Sequence, residues 1–293
     1  MTIPQPIPQC IDLHCHSTAS DGALSPGELI ARASGQGVTH LALTDHDTLE
    51  GTAAAREAAA RHGLTLINGI ELSCVWRKLT IHVVGLDMRE GDTGFAERVA
   101  TQQANRWKRA GAIADKLVRH VTGCERTIFD QATAQAGGDV PGRPHFAKAL
   151  VEAGLVKDQA QAFRKYLGSG KPGDVKAFWP ELEEVVGWIT DAGGIAVLAH
   201  PRKYKLTATR LRALVADFME AGGEGIEVVT SGQSSGDLGF LAELCRRHSL
   251  LASRGSDFHF PGASWCELGR IPPLPEGLTP VWERFRAPLS LTG

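Results

Sequence analysis

Short apolar runs alternate with amphipathic stretches along most of the chain. The stretch at 25–37 predicts a helix with Ser25 as its N-cap and Pro26 in its first turn, and the alanine-rich stretch at 48–63 predicts a helix that Gly63 ends. Further helices are predicted at about 181–192, 207–221 and 236–248. The apolar runs predict strands in CIDLH (10–14), VTHLALTDHD (38–47), LTLINGIELSCVW (64–76), LTIHVVGLD (79–87), GGIAVLAHP (193–201), GIEVV (225–229) and LLASRGSD (250–257). This alternation is typical of an α/β fold with a largely parallel sheet.

The middle of the chain breaks this alternation. Between about 95 and 170 no strand pattern is convincing, and residues 95–121 show the periodicity of one long amphipathic helix, with shorter helical patterns after it. We therefore interpret 95–175 as a helical insertion between two parts of one α/β domain, at 8–94 and 176–272.

Charge and cysteine usage narrow the class of protein. The net charge of −2 predicts no overall attraction to nucleic acid or to an anionic membrane, so any phosphate must be held locally. The six cysteines include no C-x-x-C pair, and the chain shows neither a basic-then-apolar leader nor a membrane-spanning apolar run. We expect a cytoplasmic protein with reduced thiols, no membrane contact and no obligate protein partner.

Histidine and carboxylate side chains gather where the predicted strands end. Parallel α/β folds place their sites at the carboxyl ends of strands, so these side chains can converge. They are His14 and His16 in the first run, Asp45, His46 and Asp47 in the second, Glu71, His82 and His200 in the next three, and Asp257 and His259 in the last.

Residues two apart in a strand face the same way, so His14 and His16 can bind one metal together. Imidazole and carboxylate ligands without thiolate suit manganese, iron, zinc or a mixed cluster better than a structural zinc site. A single H-x-H pair is weak evidence by itself, and Asp45 can equally be the cap of the following helix. The coincidence of many such residues at strand ends indicates a site with several metals.

The motifs DLHCHSTASDG, LALTDHDTLEG, GIELS, HVVGL, GRPHFA, AHP and GSDFH occur in this order along nearly all of the chain. They resemble the successive motifs of the polymerase and histidinol phosphatase (PHP) family. The resemblance implies a distorted (β/α)7 TIM-like barrel of the amidohydrolase type, with the helical insertion covering the active site. The TDHDTLEG and GRPHFA forms are most similar to the bacterial branch that contains 3′,5′-nucleotide bisphosphate phosphatases and 5′-to-3′ exonucleases acting on short RNA.

The resemblance also implies a ligand set for two or three divalent ions per chain. It favours manganese, with iron, zinc or magnesium as alternatives. By the matching motif positions, the first metal takes His14, His16 and Asp257; Glu71 bridges the first and second metals; His82 and His145 complete the second; and Asp21, His46 and His259 bind the third. Asp12 and Asp47 are interpreted as residues that orient ligand histidines.

The activity implied is hydrolysis of the 3′-phosphate of nucleoside 3′,5′-bisphosphates by a metal-bound hydroxide, with Glu71 and Asp257 in the catalytic centre. His200 is either a ligand or the proton donor to the leaving group. A 5′-to-3′ exonuclease on short oligonucleotides remains an alternative. So do a histidinol phosphatase, an amidohydrolase acting on C–N bonds and a non-catalytic PHP binding module.

Arginines must neutralise the phosphates of such a substrate. Arg143 lies two residues before His145, and Arg202 follows the AHP motif, so both are candidates, although either can be an ordinary surface arginine. The helix QQANRWKR at 102–109 adds further candidates for a base or a second phosphate, and a solvated helix face is the alternative for them. These candidates are Gln102, Asn105 and Arg106, with Gln103 and Arg109 beside them. For Trp107 and Phe146, base stacking and core packing both stay open.

Overall fold

The structure, a computed structural model, describes residues 10–175, 178–263, 265–287 and 289. Strands and helices alternate along this part of the chain. The strands are β1 (Cys10–Asp12), β2 (Val38–Leu43), β3 (Thr65–Trp76), β4 (Leu79–Leu86), β5 (Ile195–Leu198), β6 (Gly225–Thr230) and β7 (Leu251–Gly255). The α-helices are α1 (Pro26–Gly35), α2 (Thr52–His62), α3 (Thr93–His120), α4 (Ile128–Gln135), α5 (Arg143–Glu152), α6 (Gln159–Ala162), α7 (Leu182–Asp191), α8 (Ala208–Glu220) and α9 (Ser235–His248).

The strands form a closed sheet in chain order. β4 runs antiparallel to β3 and β5, and the other neighbouring pairs are parallel. Beyond the strand ends, the Leu13 N–H donates to the Arg254 carbonyl at 3.1 Å and the His16 N–H donates to the Phe258 carbonyl at 2.9 Å. These bonds join the last strand to the first, so the predicted seven-stranded barrel, distorted by one reversed strand, is confirmed.

A compact apolar cluster fills the barrel. Every strand except β6 contributes to it, and in a closed sheet residues from so many strands can meet only in the interior. From the C-terminal segment, Val281 and Phe285 complete the cluster. The polar strand ends therefore project from a packed core, not from a channel.

Local sequence signals fix the outer helices as predicted. The Ser25 hydroxyl accepts from the Glu28 N–H at 3.3 Å, the Glu28 carboxylate accepts from the Ser25 N–H at 2.9 Å, and Pro26 opens α1. Gly63 has a φ of 64°, the left-handed conformation that ends α2. Leu29 and Ala55 pack these two helices against β2, and α7, α8 and α9 cover the later strands.

The insertion between β4 and β5 has its own core. Ile113, Leu117 and Phe146 lie in a cluster built by α3 to α6, whereas Phe95 and Val99 at the start of α3 pack with the barrel helices. Helix α3 thus joins both cores. The boundary at 94/95 stays a prediction, and the predicted bounds at 8 and 176 fall outside the described residues.

Among the described helices, none combines the length and the apolarity needed to cross a membrane.

Candidate metal centre

Three groups of imidazole and carboxylate side chains meet at the mouth of the barrel, and Glu71 belongs to two of them. The first group is His14, His16 and Glu71; the second is His46, Glu71 and His82; the third is His16, Asp21, His46 and His259. Within each group the ligand atoms lie within 4.8 Å of one another. The strand ends therefore deliver one continuous cluster of potential ligands.

Glu71 stands at the centre of this cluster. Its side chain is fully buried, with Oε2 at 3.0 Å from His46 Nδ1 and 3.2 Å from His14 Nε2. Its other oxygen, Oε1, lies 3.1 Å from His82 Nδ1 and 2.9 Å from His200 Nε2. A carboxylate shared between two sets of imidazoles is the arrangement expected of a ligand that bridges two metal ions.

Asp257 completes the first group. Its Oδ1 lies 3.3 Å from His16 Nε2 and 3.6 Å from His14 Nε2, and the two Nε2 atoms are 3.2 Å apart. Two atoms that each lie ~2.1 Å from one ion are separated by ~3.0 to 3.4 Å at octahedral or tetrahedral angles. The His16–Asp257 and His14–His16 spacings lie in that interval and the His14–Asp257 spacing exceeds it by about 0.2 Å, so Asp257 stands close to the position of a further ligand beside His14, His16 and Glu71.

Asp21 organises the third group. Its Oδ1 lies 3.3 Å from His259 Nε2, 3.9 Å from His46 Nε2 and 4.0 Å from His16 Nδ1. Asp45 positions the loop before it: its carboxylate accepts from the Ser17 N–H at 2.7 Å and from the Ser20 hydroxyl at 2.6 Å. Helix α2 begins with Gly51 as its N-cap, so the cap role considered for Asp45 is wrong.

The electrostatics of the cluster favour a cation. Burial opposes ionisation of Glu71, Asp21 and Asp257, but the surrounding imidazoles outweigh it and hold the pKa of each carboxyl well below its usual range. Several of the atoms that face the cluster are buried and without a hydrogen-bond partner among the described residues. They are His16 Nδ1, Asp21 Oδ1, His46 Nδ1, Glu71 Oε2 and His82 Nδ1. Acceptor atoms left without donors in one place are what a divalent ion satisfies.

Eight of the nine predicted ligand residues thus lie together, but the groups that they form differ in part from the predicted ligand sets of the three metals. His46 stands beside both Glu71 and Asp21, and His16 also joins the third group. His145 lies outside the three groups, because it sits in the first turn of α5, where its Nδ1 accepts from the Gly142 N–H at 3.0 Å. Its place as a ligand of the second metal stays a prediction.

Strained backbone marks the strand ends that carry the cluster. Asp47, His200 and Asp257 have φ values of 55°, 27° and 53°, a region that residues other than glycine rarely adopt. Asp47 directly follows His46, and His200 and Asp257 each lie two residues beyond the end of a strand, β5 and β7 respectively. Strain of this kind persists where the surrounding structure imposes it, as at a functional site.

Glu227, which the sequence analysis missed, orients two histidines. Its Oε1 lies 3.0 Å from His14 Nδ1, and its Oε2 accepts from the His200 N–H at 2.7 Å. The carboxylate requires a proton on His14 Nδ1, which leaves Nε2 free to face the cluster. A signal was available, because Glu227 is an acidic residue inside the apolar run GIEVV.

Replacing Glu227 by glutamine is expected to weaken metal binding by roughly 10- to 100-fold, because His14 loses the carboxylate that fixes its tautomer. Titration of chelated protein with Mn²⁺, followed calorimetrically, measures this. The matched control is Glu220→Gln on the exposed face of α8. Equal affinities in the two variants would show that Glu227 plays no part in orienting His14.

Neither Asp12 nor Asp47 hydrogen-bonds a ligand ring. Asp12 accepts from the backbone N–H of the ligand His14 at 3.4 Å and so holds that residue through its backbone, whereas the prediction that Asp47 orients a ligand histidine is wrong. Asp12 accepts from the backbone N–H groups of Ser256 at 2.8 Å and Gly269 at 3.0 Å. Asp47 accepts from the Ser73 N–H at 2.6 Å and from Arg106 Nη1 at 2.6 Å. Burial raises the pKa of Asp47, but Arg106 and the N–H donors outweigh it and lower that pKa. Asp47 therefore ties helix α3 to the barrel beside His46.

A cavity of about 190 Å³, which we call the insertion cavity, opens beside the cluster. Its barrel side carries Asp21, His46 and His82. Its other side is formed by the insertion and the segment after it, with Arg106, Arg109, Arg143, Phe163 and Trp179. A larger cavity of about 360 Å³, near Leu49 and Phe95, has mainly apolar walls and touches none of the cluster, so the smaller one is the candidate substrate site.

Three arginines line the insertion cavity, and they differ in whether a carboxylate compensates their charge. Arg106 is paired with Asp47, and Arg143 Nη1 lies 3.7 Å from Asp174 Oδ1. Arg109 makes no ion pair among the described residues, and its Nε donates at 3.4 Å to the Val175 carbonyl. Burial, with the like charges of Arg143 and Arg106, lowers the pKa of Arg109 to about 10. A half-buried guanidinium that has no carboxylate partner among the described residues favours binding an anion.

The other residues that were predicted to contact substrate do not line the insertion cavity. Gln102 is fully buried, with its Nε2 donating to the Ser73 carbonyl at 2.6 Å, so the structure corrects its assignment to substrate. Arg202 faces away from the insertion cavity, and its Nε donates to Asp237 Oδ1 at 2.5 Å. Asn105 does not line the insertion cavity. Phe146 packs in the insertion core, and Trp107 is partly exposed.

Lys203 is a further residue that the sequence analysis missed. Its ammonium contacts Asp257 Oδ2, on the side of that carboxylate that faces away from the histidines. The charge thus supports the ionised state of Asp257, whose other oxygen faces the first group.

The chelated protein is expected to lose stability between about pH 6.5 and 9. Burial lowers the pKa of His259, but Asp21 and Asp257 outweigh it and raise that pKa to about 9. A raised histidine pKa gives stability that is complete below the unfolded value of ~6.5 and is lost as the pH rises through the folded value. Metal binds neutral imidazole, so Mn²⁺ stabilises more as the pH rises.

Melting temperatures in chelator and in Mn²⁺, taken across that interval, test this expectation. The gap between the two curves should widen with pH, and His259→Gln should flatten the curve of the chelated protein. A melting temperature that rises with pH in chelator would contradict the expected loss of stability with rising pH.

Comparison with known proteins gives consistent matches. The PHP domain model matches residues 12–95. The chain is 44% identical over 274 residues to a 5′-3′ exoribonuclease of Haemophilus influenzae, covering 94% of this chain and 98% of the relative. It is 43% identical over 279 residues to a 3′,5′-nucleoside bisphosphate phosphatase of Chromobacterium violaceum, covering 94% and 96%. A solved amidohydrolase structure from Chromobacterium violaceum with bound sulfate superposes with a TM-score of 0.85 at 43% identity, covering 94% of this chain and 95% of that one.

Proposed function

Because this chain belongs to the PHP family of metal-dependent phosphoesterases, we propose that it is a phosphoric monoester hydrolase that removes the 3′-phosphate of nucleoside 3′,5′-bisphosphates. Adenosine 3′,5′-bisphosphate would give AMP and phosphate. The relative from Chromobacterium violaceum carries the name of this activity.

The observation that carries the proposal is the uncompensated Arg109 guanidinium beside the cluster. The insertion cavity holds Arg109 between Arg106 and Arg143, and the same cavity is lined by His46 and His82 of the cluster. A substrate with one phosphate at the cluster and another against Arg109 satisfies both. A monophosphate leaves one of the two uncompensated.

We assign the metal ions to the groups already described. His14, His16, Glu71 and Asp257 would hold the first, Glu71, His46 and His82 the second, and Asp21, His46 and His259 the third, with His145 the further ligand that the resemblance implies. Imidazole and carboxylate ligands without thiolate suit manganese, iron or zinc, and the resemblance to the PHP family favours Mn²⁺ among them. When bound, the ions lower the pKa of water and neutralise phosphoryl charge.

The chain's own residues supply binding and proton transfer. Arg109 and Arg143 bind the phosphate that is not cleaved, and Phe163 and Trp179 offer aromatic walls to the base. The Arg109 guanidinium lies 5.7 Å above the Trp179 ring, which holds that wall in place. His200, with its Nε2 beside Glu71, is the candidate to hold the proton for the leaving 3′-oxygen.

The second candidate function is 5′-to-3′ exonuclease activity on short oligonucleotides, the activity named for the relative from Haemophilus influenzae. A second cavity beside His200 favours it.

All six cysteines are unpaired, which supports the predicted cytoplasmic location.

Phosphate release by the manganese-loaded protein tests the proposal. The substrates are adenosine 3′,5′-bisphosphate, AMP, histidinol phosphate and a short 5′-phosphorylated RNA. Fast release from the bisphosphate, leaving AMP, is the expected result, and mononucleotides from the RNA would put the nuclease first. No turnover of any substrate with metal bound would contradict both functions and favour the non-catalytic binding module.

A further inference from the structure

A second cavity of about 190 Å³ adjoins the cluster on the side away from the insertion. We call it the α9 cavity. It lies between the segment after β5 and the start of α9, and it is lined by His200, Arg202, Lys203, Thr230, Ser231 and Gln233, among others. The rings of His82, in the insertion cavity, and His200, in the α9 cavity, have centroids only 5.4 Å apart. A phosphoryl group at the cluster therefore has an open cavity on each side.

The two cavities differ in charge. In the α9 cavity, Arg202 is paired with Asp237 at 2.5 Å and Lys203 contacts Asp257, so neither cation is uncompensated. What remains is neutral hydrogen-bonding capacity on Thr230, Ser231 and Gln233. The buried Ser231 hydroxyl has no complete hydrogen bond within the described residues, although the weak Cys266 thiol lies beside it. This lining suits the uncharged polar groups of a nucleoside rather than a second phosphate.

An exposed tryptophan stands at the rim of the α9 cavity. Trp265 leaves 63% of its surface exposed. A Cβ built on Gly232, which lines the cavity, would lie 3.5 Å from Trp265 Cε3, so the indole stands directly over that glycine. Exposed aromatic rings beside phosphate sites serve as stacking platforms for bases in single-stranded nucleic acid.

We infer that the α9 cavity binds the nucleoside that follows the scissile phosphate, with its base stacked on Trp265. The inference rests on the proposed function, because it places the first nucleotide in the insertion cavity. Water adds its oxygen to phosphorus, the O3′–P bond breaks, the 3′-oxygen takes a proton, and the second nucleotide leaves with the phosphate at its 5′ position. A bisphosphate is then the shortest substrate, with the α9 cavity empty.

Two ligands that differ only in this second nucleoside test the inference. They are adenosine 3′,5′-bisphosphate (pAp) and the 5′-phosphorylated dinucleotide pApA, and their binding to chelated protein is measured by calorimetry. Wild type should bind pApA more tightly than pAp. Trp265→Ala should reduce that preference about tenfold, within the range of losses when one base-stacking ring is removed, and Trp265→Phe should restore most of it.

Three results would overturn the inference: no preference for pApA in wild type, no effect of Trp265→Ala, or an equal loss for both ligands, which would indicate a merely structural role. Turnover in Mn²⁺ is measured in parallel. If the loaded wild type hydrolyses neither ligand, the proposed function fails, while the binding preference still decides the role of the α9 cavity.

Discussion

Replacing Glu71 by glutamine is expected to lower phosphate release by about 10³-fold or more and to reduce the metal content of the purified protein. Glu71 is fully buried, and its two oxygens face His46, His82 and His14 at 3.0 to 3.2 Å. Glutamine keeps the size of the side chain but offers one neutral oxygen and two N–H donors. Those donors point at the nitrogen lone pairs that metal binding requires.

The magnitude follows from the charge that the cluster loses. Metal stabilisation of a phosphoryl transition state is worth several kcal/mol, and each ~1.4 kcal/mol is a factor of ten in rate. Metal content by mass spectrometry and kcat by phosphate release are the two measurements, with Glu57→Gln on the exposed face of α2 as the matched control. Wild-type metal content and activity in the Glu71 variant would contradict the role of Glu71 as a shared metal ligand.

Replacing Arg109 by methionine is expected to change stability and affinity in opposite directions. KM for adenosine 3′,5′-bisphosphate should rise about 10- to 100-fold, because a hydrogen bond to a charged group contributes ~1.5 to 3 kcal/mol. The melting temperature should rise. Burial and the like charges of Arg106 and Arg143 lower the pKa of Arg109, which means that its charged form destabilises the folded protein. Methionine carries no charge and avoids this destabilisation.

The matched control is Arg119→Met, on the exposed face of the same helix α3. Steady-state kinetics and thermal unfolding of both variants separate the two effects. A loss of stability together with a raised KM would mean that Arg109 supports the fold of the insertion. An unchanged KM would mean that the second phosphate binds elsewhere.

Local sequence patterns predicted the strands and outer helices well, because these signals act over short distances, whereas the barrel itself was implied by the resemblance to the PHP family. The alternation of apolar runs and helical stretches predicted all seven strands, and α1 begins after Ser25 and α2 ends at Gly63, as the capping rules predict. The cluster could also be predicted from the sequence, because period-two spacing puts His14 and His16 on one face and parallel strands end at one edge of the sheet.

The sequence marks Glu227 as an acidic residue in an apolar run, but the roles of the supporting residues depend on contacts across the barrel and could not be predicted from the sequence. Asp47 adjoins a ligand in the chain, yet its carboxylate turns to Arg106 and Ser73. Glu227 lies 213 positions from His14, and only the closed sheet brings the two side chains to 3.0 Å. Arg202 follows a ligand motif, but the short 3-10 helix Pro201–Tyr204 directs it to Asp237 and brings Lys203 to the cluster.

The most direct test of the account compares adenosine 3′,5′-bisphosphate with 3′-AMP as substrates of the manganese-loaded protein. The two molecules carry the same 3′-phosphate and differ only in the 5′-phosphate that Arg109 and Arg143 are proposed to bind. We expect a kcat/KM about 100-fold higher for the bisphosphate, because two charge-assisted hydrogen bonds to its 5′-phosphate are lost with 3′-AMP. Equal values for the two substrates would contradict it, because the arginines of the insertion cavity would then play no part in selecting the substrate.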